Sequence, residues 1–79
     1  MRRNPIMGTT MYFEETLRDH GDRSEPIELE FGSSTFYGDG MIYLVIDGHT
    51  VILSPEMGRK LAEAMGSLSR YLGYQRRVD

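Results

Sequence analysis

The sequence predicts an α+β domain, an antiparallel meander of three to four strands with one C-terminal amphipathic helix packed on one face. Three observations predict it. Asp47-Gly48 separates two β-rich runs, which is the chemistry of a two-residue type I′ hairpin turn whose central residues both take positive φ. Ser54-Pro55-Glu56 follows that hairpin at once and opens a helical period that runs to Gly73. Upstream, Ile27, Leu29 and Phe31 alternate with Glu28 and Glu30, the pattern of a strand with one face in the core and the other in water.

A chain of 79 residues makes one domain, residues 1–79, with residues 1–10 and 74–79 reading as flexible ends. Its core is small, since a domain of this size buries only somewhat more than ~60% of the surface that the unfolded chain exposes. Such domains need a disulfide, a metal, an oligomeric partner or very regular packing. The sequence has no cysteine, so disulfides, thiolate metal sites and cysteine nucleophiles are excluded. No apolar run approaches the ~18 residues of a membrane-spanning helix, and no apolar segment follows the charged start Met1-Arg2-Arg3, so neither a span nor a secretory signal is read there. The expected location is the cytoplasm. Twelve acids against nine bases give a net charge of −3, which argues against a dedicated nucleic-acid binder.

Between residues 9 and 17, Met11, Phe13 and Leu17 are spaced by even numbers, with Glu14 and Thr16 opposite them, which predicts a strand. A short helix capped by Thr10 and stopped at Gly21 is the competing reading. Residues 18–25 are polar around a central glycine and read as a solvated loop. The strand opened by Pro26 is expected to end at Gly32-Ser33-Ser34-Thr35. Phe36 and Tyr37 then fall between that segment and Gly38-Asp39-Gly40, two rings held in a connection, either tucked under the sheet or standing out as a contact. Counting outward from Asp47-Gly48 pairs Ile46 with His49, Val45 with Thr50, Leu44 with Val51, Tyr43 with Ile52 and Ile42 with Leu53. One face of the hairpin carries Ile42, Leu44, Ile46, Val51 and Leu53, with His49 at its end. The other carries Met41, Tyr43, Val45, Thr50 and Ile52. Two apolar faces need two covers, and strand order beyond the hairpin is open.

In the helix, Ser54 is the expected N-cap, Pro55 fits the first turn, and Glu56 lies at the positive end of the helix dipole. At about 100° per residue, Met57, Leu61, Met65, Leu68 and Leu72 gather on one side with Ala64 and Tyr71. Glu56, Arg59, Lys60, Glu63, Ser67 and Arg70 gather on the other. A second stripe beside the apolar one is made of Gly58, Ala62, Gly66, Ser69 and Gly73. Mid-helix glycine costs up to ~1 kcal/mol against alanine, so close approach of another backbone at this stripe, in a homodimer or against a protein partner, would give the small residues a purpose. Placement against the protein's own sheet would do the same. The face of Met41, Tyr43, Val45 and Ile52, with Glu28 and Glu30 at its rim, is a second candidate protein-binding surface, unless the N-terminal segment folds over it and makes it core.

The sequence points to no catalytic, cofactor or metal site. His20-Gly21-Asp22 and Asp47-Gly48-His49 place acids beside imidazoles, but these are turn residues separated by much of the chain. Gly38-Asp39-Gly40 lacks the Gly-Lys-Ser/Thr ending of a phosphate loop. Arg59, Arg70, Arg76 and Arg77, with Tyr71 and Tyr74, form the alternative site, a basic helix and tail suited to single-stranded nucleic acid and interrupted by Glu56 and Glu63.

The run Asp47-Gly48, Val51, Leu53-Ser54-Pro55-Glu56, Arg59, Leu61-Ala62 and Ala64 resembles a pattern in small, mostly uncharacterised proteins of actinobacteria and their phages, in which a strand ending in Leu-Ser/Thr-Pro-Glu enters an Ala/Leu-rich helix. The resemblance covers roughly the last third of the chain, and Gly58 and Gly66 depart from the alanine typical there. It implies no activity. It does imply a small accessory protein of a mobile element, a class that binds and inhibits host proteins. The function expected is therefore a non-catalytic protein-binding module, with a small nucleic-acid-binding regulator as the alternative.

Overall fold

The computed structural model describes residues 8–38 and 40–74. Four strands, β1 (Thr9–Leu17), β2 (Ile27–Ser34), β3 (Met41–Ile46) and β4 (His49–Ile52), precede a single helix, α1 (Pro55–Leu72). The strands form one antiparallel sheet in the order β1-β2-β3-β4. This is the α+β meander that the alternating patterns and the single helical period predict. Residues 9–17 form the strand rather than the competing helix, and Thr9 and Thr10 belong to it rather than to a flexible lead-in.

The β3–β4 hairpin has the register counted from its turn, with Ile46 opposite His49, Leu44 opposite Val51 and Tyr43 opposite Ile52. The Leu53 N–H continues the ladder by donating to the Ile42 carbonyl at 2.8 Å. Asp47 and Gly48 both have positive φ, 48° and 85°, as a type I′ turn requires. Asp47 also closes the neighbouring strand pair: its N–H donates to the Glu28 carbonyl and its Oδ1 accepts from the Glu28 N–H, both at 2.9 Å.

Residues directly opposite in the ladder share a face. Phe13, Leu29, Phe31, Ile42, Leu44 and Val51 thus lie on one side, which also holds Leu17, Ile27 and Ile46. Phe13 and Phe31 stack there, ring centroids 5.0 Å apart and nearly parallel. The other side carries Glu28, Glu30, Gly32 and Ser34 of β2 with Met41, Tyr43 and Val45 of β3.

Two expectations for β2 and β1 are corrected. Gly32, Ser33 and Ser34 do not end β2; they are strand residues, with Gly32 and Ser34 buried. Turn-forming composition is overridden here by a close approach: a Cβ on Gly32 would collide with the Thr10 carbonyl oxygen and stand 2.9 Å from the Met11 Cα. The register of β1 against β2 also shifts between Met11 and Phe13, leaving Tyr12 as an extra residue. That bulge puts Met11 opposite Gly32, on the other face from Phe13 and Leu17, although even spacing grouped the three.

The helix begins as predicted. Ser54 Oγ accepts from the Met57 N–H at 3.1 Å, and Pro55 is its first residue. It ends at Gly73, in the left-handed conformation at φ 78°, with the Gly73 and Tyr74 N–H groups returning to the Arg70 and Ser69 carbonyls. Only Leu53 and Ser54 separate β4 from α1, and the helix meets the sheet at β3. The contact runs through the small-residue edge of the helix. Gly58 is its buried residue, seated on Ile42. The apolar stripe expected to cover the sheet instead stays largely in solvent, with Met57, Met65 and Leu68 each about half exposed. No described helix is long and apolar enough to cross a membrane.

Candidate protein-binding surfaces

The residues of the small-residue stripe differ in burial. Gly58 is buried, Gly66 and Ser69 are partly buried, and Ala62 and Gly73 are exposed. A Cβ at Gly58 would lie 3.5 Å from Ile42 Cδ1, so this glycine sits against the protein's own sheet. At Gly66 the nearest atom to such a Cβ, outside its own helix backbone, is Arg70 Nη1 at 3.7 Å, and no backbone of another element lies within 4 Å of it among the described residues. Beside the seat, a shallow groove of about 430 Å³ opens between Ser33, Met41 and Ile42 of the sheet and Pro55, Arg59 and Ala62 of the helix.

The Met41, Tyr43, Val45 and Ile52 face is covered at its centre. Tyr43 is 5% exposed, the one buried apolar side chain among the described residues, while Met41, Val45 and Ile52 are half-buried. Glu30, expected to face water, is only 8% exposed. Its burial is compensated by the Tyr43 hydroxyl, which donates to Glu30 Oε2 at 2.5 Å. The register explains the geometry. Tyr43 stands opposite Gly32 and Val45 opposite Glu30, so the ring reaches diagonally past the bare glycine to the carboxyl two residues along. Ser34, also buried, accepts from the Phe36 N–H at 3.1 Å and shapes the turn that follows. Sequence reasoning missed the Tyr43–Glu30 pair, because it depends on the β2–β3 register that places Gly32 opposite Tyr43.

Phe36 and Tyr37 stand out rather than tuck under the sheet, at 60% and 67% exposure. They hold each other edge to face, centroids 4.9 Å apart and rings at 79°, on a turn closed by the Gly38 N–H donating to the Thr35 carbonyl. Two solvent-exposed rings in a fixed mutual geometry are a low-entropy contact element.

The turn acids have structural tasks. Asp19 Oδ2 accepts from the backbone N–H groups of Gly21 at 2.8 Å and Arg23 at 3.1 Å, and the Arg23 guanidinium approaches it at 3.4 Å. These bonds, the Arg23 N–H foremost, hold the Asp19 carboxyl below its ordinary value against a smaller opposing effect of desolvation. Asp47 is committed to Glu28. The loop carrying His20 and the turn before His49 lie at the same end of the sheet, but no group of three His, Asp or Glu among the described residues could hold a metal ion. Of the alternative basic site, Arg59 and Arg70 are exposed, with Arg70 Nη2 donating to Ser67 Oγ at 3.3 Å, while Arg76 and Arg77 lie outside the described residues. Tyr71 and Tyr74 are both exposed.

Compared with known proteins, the chain matches no family model, no curated protein and no solved structure.

Proposed function

We propose that this protein is a small non-catalytic protein-binding module, of the accessory type that engages and inhibits a host protein. The observation that carries this reading is the amount of large apolar surface left in solvent: Phe36 and Tyr37 on one turn, and Met57, Met65 and Leu68 along one helix. Large exposed apolar patches mark sites of protein contact. Paired aromatics on a short turn are suited to act as anchors, since burying such side chains dominates interface energetics at small entropic cost.

The test is affinity capture from lysate of the source cell, comparing the full chain with a Phe36→Ala, Tyr37→Ala double variant. One protein held by the parent chain and lost at least ~10-fold with the variant, on the scale of removing a hot spot, is the expected result. Equal capture by both, or capture of nothing, counts against the reading. A gel shift with single-stranded DNA or RNA at low salt, abolished by Arg59→Glu and Arg70→Glu together, would replace it with the nucleic-acid alternative.

A further inference from the structure

The helix and the sheet each leave an apolar face incomplete on the same chain. On α1, the exposures of Met57, Leu61, Met65, Leu68 and Leu72 run from 37% to 58%. On the stacked-phenylalanine face of the sheet, Leu17, Ile27, Ile46 and Val51 are between 39% and 46% exposed. Leu17, Ile27 and Ile46 lie toward the far end of the sheet from the helix start, because they end or begin their strands at the edge that holds the β3–β4 turn, whereas Gly58 meets Ile42 near the opposite end; Val51, opposite Leu44, lies between the two. The two-residue connection of Leu53 and Ser54 places α1 against β3 by its glycine edge and leaves its apolar stripe turned aside.

We propose that these two faces are covered by a second copy of the same chain, in a two-fold homodimer. The inference rests on the reading of the protein as a binding module and names the occupant of one of its surfaces. The area fits: the nine residues expose on the order of 800 Å² per chain, close to one side of a standard-size protein interface. The need fits as well. With Tyr43 the one apolar side chain buried among the described residues, and no cysteine in the sequence for a disulfide, the described part of a single copy has a small interior, of the kind that an oligomeric partner supplements. The kinds of surface also fit. A helix stripe and a sheet face are the two halves of a helix-on-sheet layer. A two-fold axis matches the patch on one copy with the same patch on the other, so a second copy brings a stripe for each open sheet face and a sheet face for each open stripe. A foreign partner would have to supply both. Phe36 and Tyr37, on the β2–β3 turn, remain outside this interface and free for a target.

The test uses the full chain. Light scattering at about 100 µM, a concentration chosen well above a micromolar dissociation constant, should give twice the 9.1 kDa chain mass. The melting temperature should rise by roughly 5–10 °C between about 2 µM and 200 µM, as mass action requires of a dimer of this size. Leu68→Lys on the helix and Val51→Lys on the sheet should each shift the mass toward the monomer. A monomeric mass with concentration-independent melting overturns the proposal, and this measurement needs no variant to fold. A dimer that survives both lysine variants overturns it too. The Phe36→Ala, Tyr37→Ala chain should remain dimeric. A monomeric parent that still captures its target would therefore sink the dimer and leave the binding reading standing, and a dimer that captures nothing would do the reverse.

Discussion

Gly58 of the helix sits on Ile42 of β3, its missing Cβ leaving 3.5 Å to the isoleucine Cδ1, and this is the contact through which helix and sheet are joined. The spacing is an ordinary van der Waals distance, so a methyl group fits. Gly58→Ala is expected to stabilise the fold by ~0.5–1 kcal/mol, gaining helix propensity without displacing Ile42. Gly66→Ala should gain a similar ~0.5–1 kcal/mol, since among the described residues outside its own helix backbone the new methyl group would meet just the movable end of Arg70. Gly58→Leu should instead push the helix off β3 and cost ~1–3 kcal/mol. Urea unfolding followed by circular dichroism measures all three, and a destabilised Gly58→Ala would mean that the seat is tighter than the distance implies.

Much of this arrangement could be read from the chain because it is set locally. The Asp47-Gly48 turn fixed the hairpin register, and Ser54-Pro55 and Gly73 fixed both helix ends, since each acts on backbone groups within four residues of itself. What could not be read depends on elements that meet only after folding. Gly32-Ser33-Ser34 has the composition of a turn, and only its pairing with both β1 and β3 makes it a strand. The bulge at Tyr12 reverses the side on which Met11 lies. Helical periodicity grouped the apolar stripe of α1, but it carries no information on which side the connection of Leu53 and Ser54 turns toward the sheet, and the side turned there is the glycine edge rather than the stripe. The same limit applies to the candidate sites. Phe36 and Tyr37 were legible as rings in a connection, yet their exposure follows from the turn closed at Thr35 and Gly38.

Gly32 should be among the least replaceable residues of the sheet. Any side chain there meets the Thr10 carbonyl and the Met11 Cα, backbone atoms that cannot rotate away. Gly32→Ala is expected to cost ~3 kcal/mol, at the upper end of overpacking effects. The damage should appear first in β1: amide exchange measured by NMR should accelerate between Thr9 and Phe13 while β3 and β4 keep their protection. Uniform loss of protection across the sheet would show that β1 is not separately displaced.

Tyr43 and Glu30 form the buried polar pair of the described structure. Tyr43→Phe keeps the ring over Gly32 and removes only the donor to Glu30 Oε2, so the expected loss is ~1–3 kcal/mol, the cost of taking one partner from a buried hydrogen bond. Glu30→Gln retains an acceptor for the hydroxyl and should cost less than Glu30→Leu, which removes that acceptor. Equilibrium unfolding of the three variants gives the order directly. A Tyr43→Phe chain as stable as the parent would show that the ring alone matters at this position.

Asp19 gives the structure a pH dependence confined to one loop. Its carboxyl is held below the ordinary value, first by the Arg23 N–H, with the Arg23 side chain and the Gly21 N–H adding to the effect. A carboxyl whose value is lower folded than unfolded contributes stability at pH above the unfolded value of ~3.9 and loses it as pH falls through the folded value. The Gly21 and Arg23 amide resonances should therefore keep their neutral-pH positions down through the ordinary carboxyl range and shift together only below it. In Asp19→Asn the side-chain oxygen still accepts from both amides, so the loop should keep its form with the titration gone. In Asp19→Ala both amides should lose their partner and exchange faster at every pH. Titration of Gly21 and Arg23 at the ordinary carboxyl value would mean that these bonds do not hold Asp19 in solution.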